Sequence, residues 1–531
     1  MSEGPRDKDQ GRPRRWVLVF ILTLVLLAVI ALTVSRMIDR AEPILRARVI
    51  ETLATRFKSK VELDTFHLSA LPDLEVSGAG LRIFGGADPV SDPSSLRPII
   101  AVAQFRFRTG IWNLFHSPVH VNTVYLKGLQ LNLPPPKERR AEMQNVPSQG
   151  GRISIVVDNL VSDTAELVIN PEKAGKPPRV FAIRSLKMTR VGANQPMHFE
   201  TDLINPKPVG NIHSSGSFGP WQPDSPRDTP IEGRYSFRNA DLSTIKGIGG
   251  ILSSTGKYAG TLDHIVVDGT TDTPDFRIAV SGRPVPLHTD FHAIVDGTSG
   301  DTYLQPVKAK LIDSWLVATG SVVRTIEPHG HQVKLEVVIE HGRIEDLLKL
   351  ALRRDPPALI GTMGLRTNFD LPPGEPDLTK RLQLAGTFQV AAAQFTNPEI
   401  QDKVDALSLR SQGKPKLAKD LPSENVDSAV SGTFRVLEGL VSFSQLQFQV
   451  PGAQLDLAGT YNLDGSQFDF RGKVRLDAKV SQLVSGWKSV LLRPVNPFFH
   501  KHGAGTEMPV KVTGSRSEFH FGTDFHDKRK D

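Results

Sequence analysis

The feature of this sequence that most constrains its fold is a strict alternation of apolar and polar residues. In "AQLDLAGTYNLDGSQFDFRGKVRLDAKV", residues 453–480, nearly every second side chain is apolar and its neighbours are charged or polar. Because successive side chains of a β-strand point to opposite faces, this period gives each strand one apolar and one solvated face. The same texture recurs from Lys60 onward in segments such as "KVELDTFHL", "HVNTVYLKGLQLNL" and "HQVKLEVVIE". The sequence therefore predicts a mainly β protein.

A short phrase, glycine followed by Thr or Ser and then an apolar residue, recurs along the β-rich part of the chain. Its glycines are Gly216, Gly260, Gly320, Gly386, Gly432 and Gly459. Their irregular spacing argues against a solenoid, which would show one period throughout. It favours a long antiparallel meander in which glycines mark bulges or bends. Alternation alone leaves two arrangements open: stacked closed sandwiches, or one long curled sheet whose apolar face lines a groove.

The N-terminal part contains the longest apolar run. "WVLVFILTLVLLAVIALTV", residues 16–34, would form a helix about 28 Å long, close to the thickness of a bilayer core. No small-x-small cleavage pattern follows it before Arg36, which favours an uncleaved transmembrane anchor over a signal peptide. The apolar residues expected to hold this anchor are Trp16, Val17, Leu18, Phe20, Ile21, Leu22, Leu24, Leu26, Leu27, Ile30 and Leu32.

The flanks of the anchor predict its orientation. Arg12, Arg14 and Arg15 lie in the basic tail of residues 1–15, and basic residues so placed hold an N-terminus in the cytoplasm. The bulk of the chain would then lie in the periplasm of a Gram-negative cell. Residues 35–59 carry an apolar stripe at helical spacing, so we expect an amphipathic helix there. Its stripe would pack on the next domain, lie on the membrane surface, or do both.

Composition and motifs exclude several classes of function. The net charge is +7, yet the basic residues are scattered among acidic ones, and no nucleic-acid-binding module or basic stripe is present. The absence of cysteine excludes disulfides and thiol catalysis. No H-E-x-x-H, G-x-S-x-G or P-loop motif occurs in the chain. We expect no enzyme, no cofactor and no metal site, although catalytic groups scattered over distant strands remain an alternative.

Helical interruptions of the β pattern are few and short. Helices are expected in residues 342–354, 397–408 and 480–494, where apolar residues recur at helical rather than alternating spacing.

Several of these segments together resemble a known family. "KSKVELDTFHLSALPDLEVSGAGLRIFG" after the anchor, the stretch from residue 457 to 499, and "GTEMPVKVTGSRSEFHFGTDF" near the end are similar to AsmA-like proteins. The middle of the chain around "LIGTMGLRTNFDLPPGEPDLTKRLQLAGTFQV" resembles their bodies as well. That family is related to TamB, YhdP and the bridge-like lipid-transfer proteins. The resemblance implies a periplasmic β-groove over residues 60–429 and an AsmA-like C-terminal β region over residues 430–531.

The resemblance favours the groove over the sandwiches and implies a function. Such a groove would conduct phospholipids from the inner toward the outer membrane, with an outer-membrane or periplasmic protein as a further partner. A scaffold or assembly factor for outer-membrane proteins, without lipid transport, is the alternative. The family has no catalytic residues to carry over. The residues expected to line the groove are Phe388, Phe434, Phe443, Leu446, Phe448, Leu455, Leu457, Tyr461, Leu463, Phe468, Phe470, Val474 and Leu476.

Overall fold

The fold is seen in a computed structural model of the 531-residue chain. Of the residues it describes, 70% lie in strands and 11% in helices, which confirms the prediction of a mainly β protein. The described residues are 42–44, 46–47, 49–51, 53–54, 60–69, 74–84, 98–109, 119–133, 155–170, 178–192, 195–220, 222, 225–279, 281–325, 330–353, 355–374, 378–417, 426–463, 466–478, 506–515 and 519–522.

The chain divides into two compact units. The first comprises residues 1–204 with 217–224, and the second comprises residues 205–216 with 225–531. The strands that lie wholly or mainly in the first unit are β1 Val61–Glu62, β2 Thr65–Ser69, β3 Leu74–Phe84, β4 Pro98–Thr109, β5 Val119–Leu133, β6 Ile155–Ser162, β7 Ala165–Ile169, β8 Arg179–Val191 and β9 Met197–Pro206.

The first unit departs from a simple antiparallel meander at one step. Strands β1 and β2 both pair with β3, which pairs with β4, and β4 pairs with β5, all antiparallel. Strand β5 then runs parallel to β6 and β7, and both of these pair antiparallel with β8. A parallel pair needs a crossover connection rather than a hairpin, and residues 134–154 provide the chain length for it. The sheet is therefore antiparallel-dominated, with one parallel step that the alternation pattern did not predict.

The amphipathic segment predicted after the anchor packs on the first unit. Described residues between 42 and 54 are helical, and Val49 and Ile50 contact the buried cluster of Leu63, Phe66 and Val76. The guanidinium of Arg46 also donates to the carbonyl of Leu63. Of the alternatives considered for the apolar stripe, these contacts show packing on the following strands.

All strands of the second unit with a described register pair antiparallel. From β13 to β25 each strand pairs with the next one along the chain, and β11 pairs with β13. The strands are β10 Val209–Phe218, β11 Pro230–Asp241, β12 Ile248–Gly249, β13 Ile251–Thr261, β14 His264–Ile278, β15 Val285–Val295, β16 Thr302–Leu311, β17 Ser314–Thr325, β18 Gly330–Arg343, β19 Leu359–Leu371, β20 Gln383–Phe395, β21 Ser428–Leu437, β22 Leu440–Val450, β23 Ala453–Asn462, β24 Phe468–Leu476, β25 Thr506–Gly514 and β26 Phe519–Gly522.

The second unit also contains short helices. They are α1 Ile344–Ala351, α2 Leu378–Arg381, α3 Pro398–Ser411 and the 3-10 turns Pro226–Asp228 and Leu242–Thr244. Helices α1 and α3 confirm two of the predicted helices, and the third, at 480–494, lies outside the described residues, as does the predicted anchor at 16–34. Within the described part of the chain, no helix has the length and apolarity needed to span a bilayer.

Two buried clusters of the second unit lie where α1 and α3 cover the ends of strands. Beneath α3, Val404 packs with Val450, Ala453 and Leu476. Beneath α1, Ile344 and Leu347 contact a cluster of Met363, Val390 and Ala393. We call these two clusters, with the helices over them, the covered edge.

Buried polar contacts fix both helices to the strand ends. The carboxylate of Asp346 in α1 accepts hydrogen bonds from the Ser314 hydroxyl, at 2.8 Å, and from the Asp313 backbone N–H, at 3.1 Å. In α3, the Ser408 hydroxyl donates to the carbonyl of Pro451 at 2.8 Å. Because these partners lie in or directly beside the turns between strands, the helices are held over one edge of the sheet.

Candidate functional site

One face of the second unit carries a row of side chains that crosses fourteen strands, β11 and β13 to β25. Each member lies directly opposite the next in the strand register, and every member is either apolar or glycine, apart from two tyrosines. We call this row the uncovered strip. It consists of Gly233, Tyr258, Val267, Ala293, Leu304, Gly320, Leu335, Phe369, Leu384, Val436, Val441, Tyr461, Phe468 and Gly514.

Most side chains of the uncovered strip are only partly buried. Eleven of its residues are half-buried, and only Ala293, Val436 and Val441 are buried. At the covered edge, by contrast, Val390 and Val450 are 2% and 3% exposed. A second layer of a sandwich would bury large side chains such as Phe369 and Leu335 as completely as the helices bury those valines. Among the described residues, the strip therefore lacks the close cover that a sandwich core provides.

The predicted lining residues come together on this same face. Leu457 lies opposite Leu446, Leu455 lies opposite Phe448 and Val474, and Tyr461 lies opposite Phe468. Phenylalanine rings extend the contacts across strands: the ring centroids of Phe388 and Phe434 are 6.1 Å apart, those of Phe443 and Phe470 5.9 Å, and those of Phe468 and Phe470 6.2 Å.

Glycines lie beneath several of these rings. A Cβ at Gly459 would lie 2.7 Å from Cδ1 of Phe470, and one at Gly432 would lie 2.9 Å from Cε1 of Phe388. The Gly459 Cβ would also collide with the carbonyl oxygen of Asp469 on the neighbouring strand. In a regular strand the Cβ stands clear of the neighbouring backbone, so this collision marks a local bend of the sheet. Glycine is required there because the bend leaves no room for a side chain.

Two of the predicted lining residues do not lie on the uncovered part of the apolar face. Leu476 is 6% exposed and belongs to the cluster under α3, so it is a core residue of the covered edge. Leu463 lies just after β23, in the turn, where its N–H donates to the carbonyl of Gly439 at 2.9 Å. Val474 and Phe448 lie on the border, since both contact the cluster under α3 from partly buried positions.

The opposite face of the same strands is charged. Lys473 pairs with Glu507 at 2.8 Å, Arg475 with Asp456 at 3.6 Å, and Arg471 lies 3.4 Å from Asp469. Exposed ion pairs of this kind add little to stability because water screens them. Their importance is that they make this face soluble, so the strands have one solvated side and one apolar side.

Histidine and aspartate pairs continue the polar face on β14 and β15. The Nδ1 atom of His288 lies 2.6 Å from Oδ1 of Asp272, and that of His292 lies 2.7 Å from Oδ1 of Asp268. The hydrogen bond to Asp272 raises the pKa of His288, and the hydrogen bond from His292 lowers the pKa of Asp268. Across the described residues, no group of three His, Asp or Glu side chains converges as metal ligands would.

The sequence-based choice of lining residues was confined to β20–β24 and missed most of the row. Inward residues of β11 to β19, such as Leu304, Leu335 and Phe369, continue the same apolar face. The alternation in "HQVKLEVVIE" carries the signal for Leu335, but the pairing register was needed to place these residues on one side. An extended apolar face with a solvated back can hold hydrocarbon chains.

The comparisons with known protein families and with curated proteins found no match.

Proposed function

We propose that this protein is anchored in the inner membrane and conducts phospholipids toward the outer membrane along an elongated apolar groove formed by a curled periplasmic sheet. The observation that carries the proposal is the uncovered strip, which crosses fourteen strands without a charged residue. Neighbouring strands lie about 4.8 Å apart, so the strip extends for about 60 Å. A continuous apolar surface of that length matches a ligand made of hydrocarbon chains.

Two physical arguments favour acyl chains as the occupant. A large apolar surface left in water is unfavourable and promotes aggregation, so it needs a ligand or a partner to cover it. Phenylalanine, which supplies much of the surface on β20–β24, has no polar atom that a bound hydrocarbon would leave unsatisfied. Acyl chains would contact this face while the head groups stay in water along the open side, and this step needs neither a cofactor nor a catalytic residue.

The cellular setting in the proposal rests on the sequence. The apolar run at residues 16–34 with Arg12, Arg14 and Arg15 before it supports an inner-membrane anchor with a cytoplasmic N-terminus. The resemblance to AsmA-like proteins supports the direction of transport and a protein partner at the outer membrane.

Photocrosslinking in living cells tests the proposal. A photoreactive amino acid at position 470, on the apolar face, should crosslink to lipid, whereas the same group at position 471, on the charged face, should not. Leu457→Asp places a carboxylate on the apolar face, so it should abolish the crosslink at position 470 because an unpaired charge is unfavourable beside hydrocarbon. The matched control, Asp469→Ala on the charged face, should leave the crosslink intact.

A second measurement separates transport from scaffolding. Cells that carry Leu457→Asp should show a more permeable outer membrane than cells with Asp469→Ala, at equal levels of folded protein. Absence of lipid from position 470 in the wild-type protein would refute the proposal. A folded, lipid-free variant with a normal outer-membrane barrier would show that lipid binding is not the function, and would favour a scaffold.

A further inference from the structure

The apolar face of the second unit changes character between its two halves. On β19 to β24, the second register row from the uncovered strip consists of leucine, phenylalanine and glycine, including Leu365, Phe388 and Leu457. On β13, β14 and β15 the inward-facing row holds hydroxyl residues instead, with Ser254 opposite Thr271 and Thr271 opposite Thr289.

Two tyrosines bring further hydroxyls to the same place. The ring of Tyr235 lies over Gly256, where its hydroxyl would be 2.9 Å from a Cβ, and that hydroxyl is 3.1 Å from Oγ of Ser254. The ring of Tyr258 lies over Gly233, and its hydroxyl is 2.8 Å from Oγ of Ser214. Burial raises the pKa of both tyrosines, so both stay protonated at neutral pH and keep a hydrogen to donate.

These hydroxyls do not provide an acceptor for every one of their own hydrogens. Thr271 and Thr289 lie 2.7 Å apart and bond only to each other, so one of their two hydroxyl hydrogens has no acceptor among the described residues. The same holds for the pair of Tyr235 and Ser254. Each pair therefore offers one free O–H donor on a face that is otherwise apolar.

Free donors on such a face have a consequence for the ligand. Water can accept their hydrogen bonds while the face is empty, but an acyl chain that displaced the water could not, and burying an unpaired hydroxyl is unfavourable. We infer that these hydroxyls form a subsite for the ester carbonyls of a glycerolipid, held by the free donors of the Thr271–Thr289 and Tyr235–Ser254 pairs. This inference rests on the proposed function and adds to it the part of the lipid that the face recognises.

The test compares two phospholipids that differ only in the linkage of their chains. A diester lipid and the matching diether lipid, which lacks the carbonyl oxygens, compete for the full-length protein against a radioactive photoreactive acyl lipid. A carbonyl hydrogen bond is worth about five-fold in affinity, so the diester should compete about five-fold better for each bond formed.

Substitutions at the subsite should remove this preference. The double variant Thr271→Val with Thr289→Val keeps the side-chain shape and deletes one free donor, so the preference should fall about five-fold. Tyr235→Phe combined with Ser254→Ala keeps the ring over Gly256 and removes both hydroxyls of this pair, and with them its free donor. It should cause a similar fall, which keeps the test decisive if the threonine variant does not fold. Thr319→Val, on the opposite face of β17, is the control and should leave the preference unchanged.

The outcomes separate this inference from the proposed function. Equal competition by diester and diether lipids for the wild-type protein would overturn the ester subsite while leaving lipid binding intact. An unchanged preference in the Tyr235→Phe/Ser254→Ala variant and in the threonine variant would also overturn it. If the photoreactive lipid labels no wild-type protein, both the subsite and the proposed function are wrong.

Discussion

The covered edge and the uncovered strip are parts of the same face of the second unit. Their apolar side chains nevertheless differ in how completely they are buried. Val390 and Ala393 on β20 are 2% and 0% exposed under α1, whereas Leu384 on the same strand is only half-buried. Apolar side chains on one face of a single strand therefore become core or accessible surface according to whether a helix lies over them. On β20, therefore, the helix rather than the strand decides where this face closes.

An introduced charge should lower the stability of the protein far more in the covered edge than on the uncovered part of the face. This is the largest difference we expect between the two parts. Val390→Asp would bury an unpaired carboxylate under α1 and should destabilise the protein by about 3–5 kcal/mol. Leu457→Asp should cost less than about 2 kcal/mol, because a half-buried carboxylate can turn toward water. Urea denaturation followed by circular dichroism measures both. Gln389→Asp, on the charged face beside Val390, is the control and should stay within about 0.5 kcal/mol of the wild type. Equal losses for Val390→Asp and Leu457→Asp would mean that the strip is a closed core.

A glycine on the apolar face should tolerate a methyl group poorly. Gly459→Ala would push a Cβ into the backbone of β24 and to 2.7 Å from the Phe470 ring, so the bend there would have to relax. We expect a loss of about 1–3 kcal/mol in the free energy of unfolding. Gly364→Ala is the matched control, because its nearest neighbour is the flexible side chain of Gln389, at 3.1 Å. A neutral Gly459→Ala would show that the sheet is not bent there.

Loosening α3 should open the covered edge without affecting the strip. The Asn397 side chain caps α3 by accepting hydrogen bonds from the N–H groups of Glu399, at 2.9 Å, and Ile400, at 3.3 Å. Asn397→Ala should cost about 1 kcal/mol. Hydrogen exchange should become faster at Val450 under the helix, while protection at Tyr461 in the uncovered strip stays unchanged. A uniform loss of protection would show that the two parts unfold together.

The smallest effect on stability is expected from the histidine–aspartate pairs on the charged face. His288 contacts Asp272, with Asp290 nearby at 3.6 Å and Lys310 opposite on β16, and its pKa is raised. A raised pKa in the folded state means that the pair stabilises the protein below pH 6.5, and that this contribution disappears as the pH rises through the folded-state pKa. NMR titration should place the pKa of His288 above that of an exposed histidine, and Asp272→Asn should lower it. An unshifted pKa would show that Asp272 does not stabilise the charged form of His288.

Much of the fold follows from local patterns. Alternation predicted the strands, and loss of alternation predicted α1 and α3, because periods of 2.0 and 3.6 are set by backbone geometry alone. The parallel step from β5 to β6 was not predictable in this way, because strand direction depends on the path of the connection. The lining residues of β20–β24 share a face, except that Leu463 lies in the turn after β23 and Leu476 belongs to the core under α3. Strict alternation would put Phe443 and Leu446 on opposite faces, and a β-bulge between them turns both to the apolar side. Alternation therefore predicts the face of a side chain only within a regular strand, and it carries no information about what lies over that face.

The sequence by itself determined that strands of this protein have one apolar side and one charged side, and that glycines interrupt the apolar side. Tertiary structure decided three further points: the register that joins Gly233 to Gly514 in one row, the bends at which Phe470 lies over Gly459, and the edge that α1 and α3 cover. The physical reason is that side-chain direction is a property of consecutive residues. Register, bending and cover depend instead on contacts between residues far apart in the chain, such as Asp346 with Ser314.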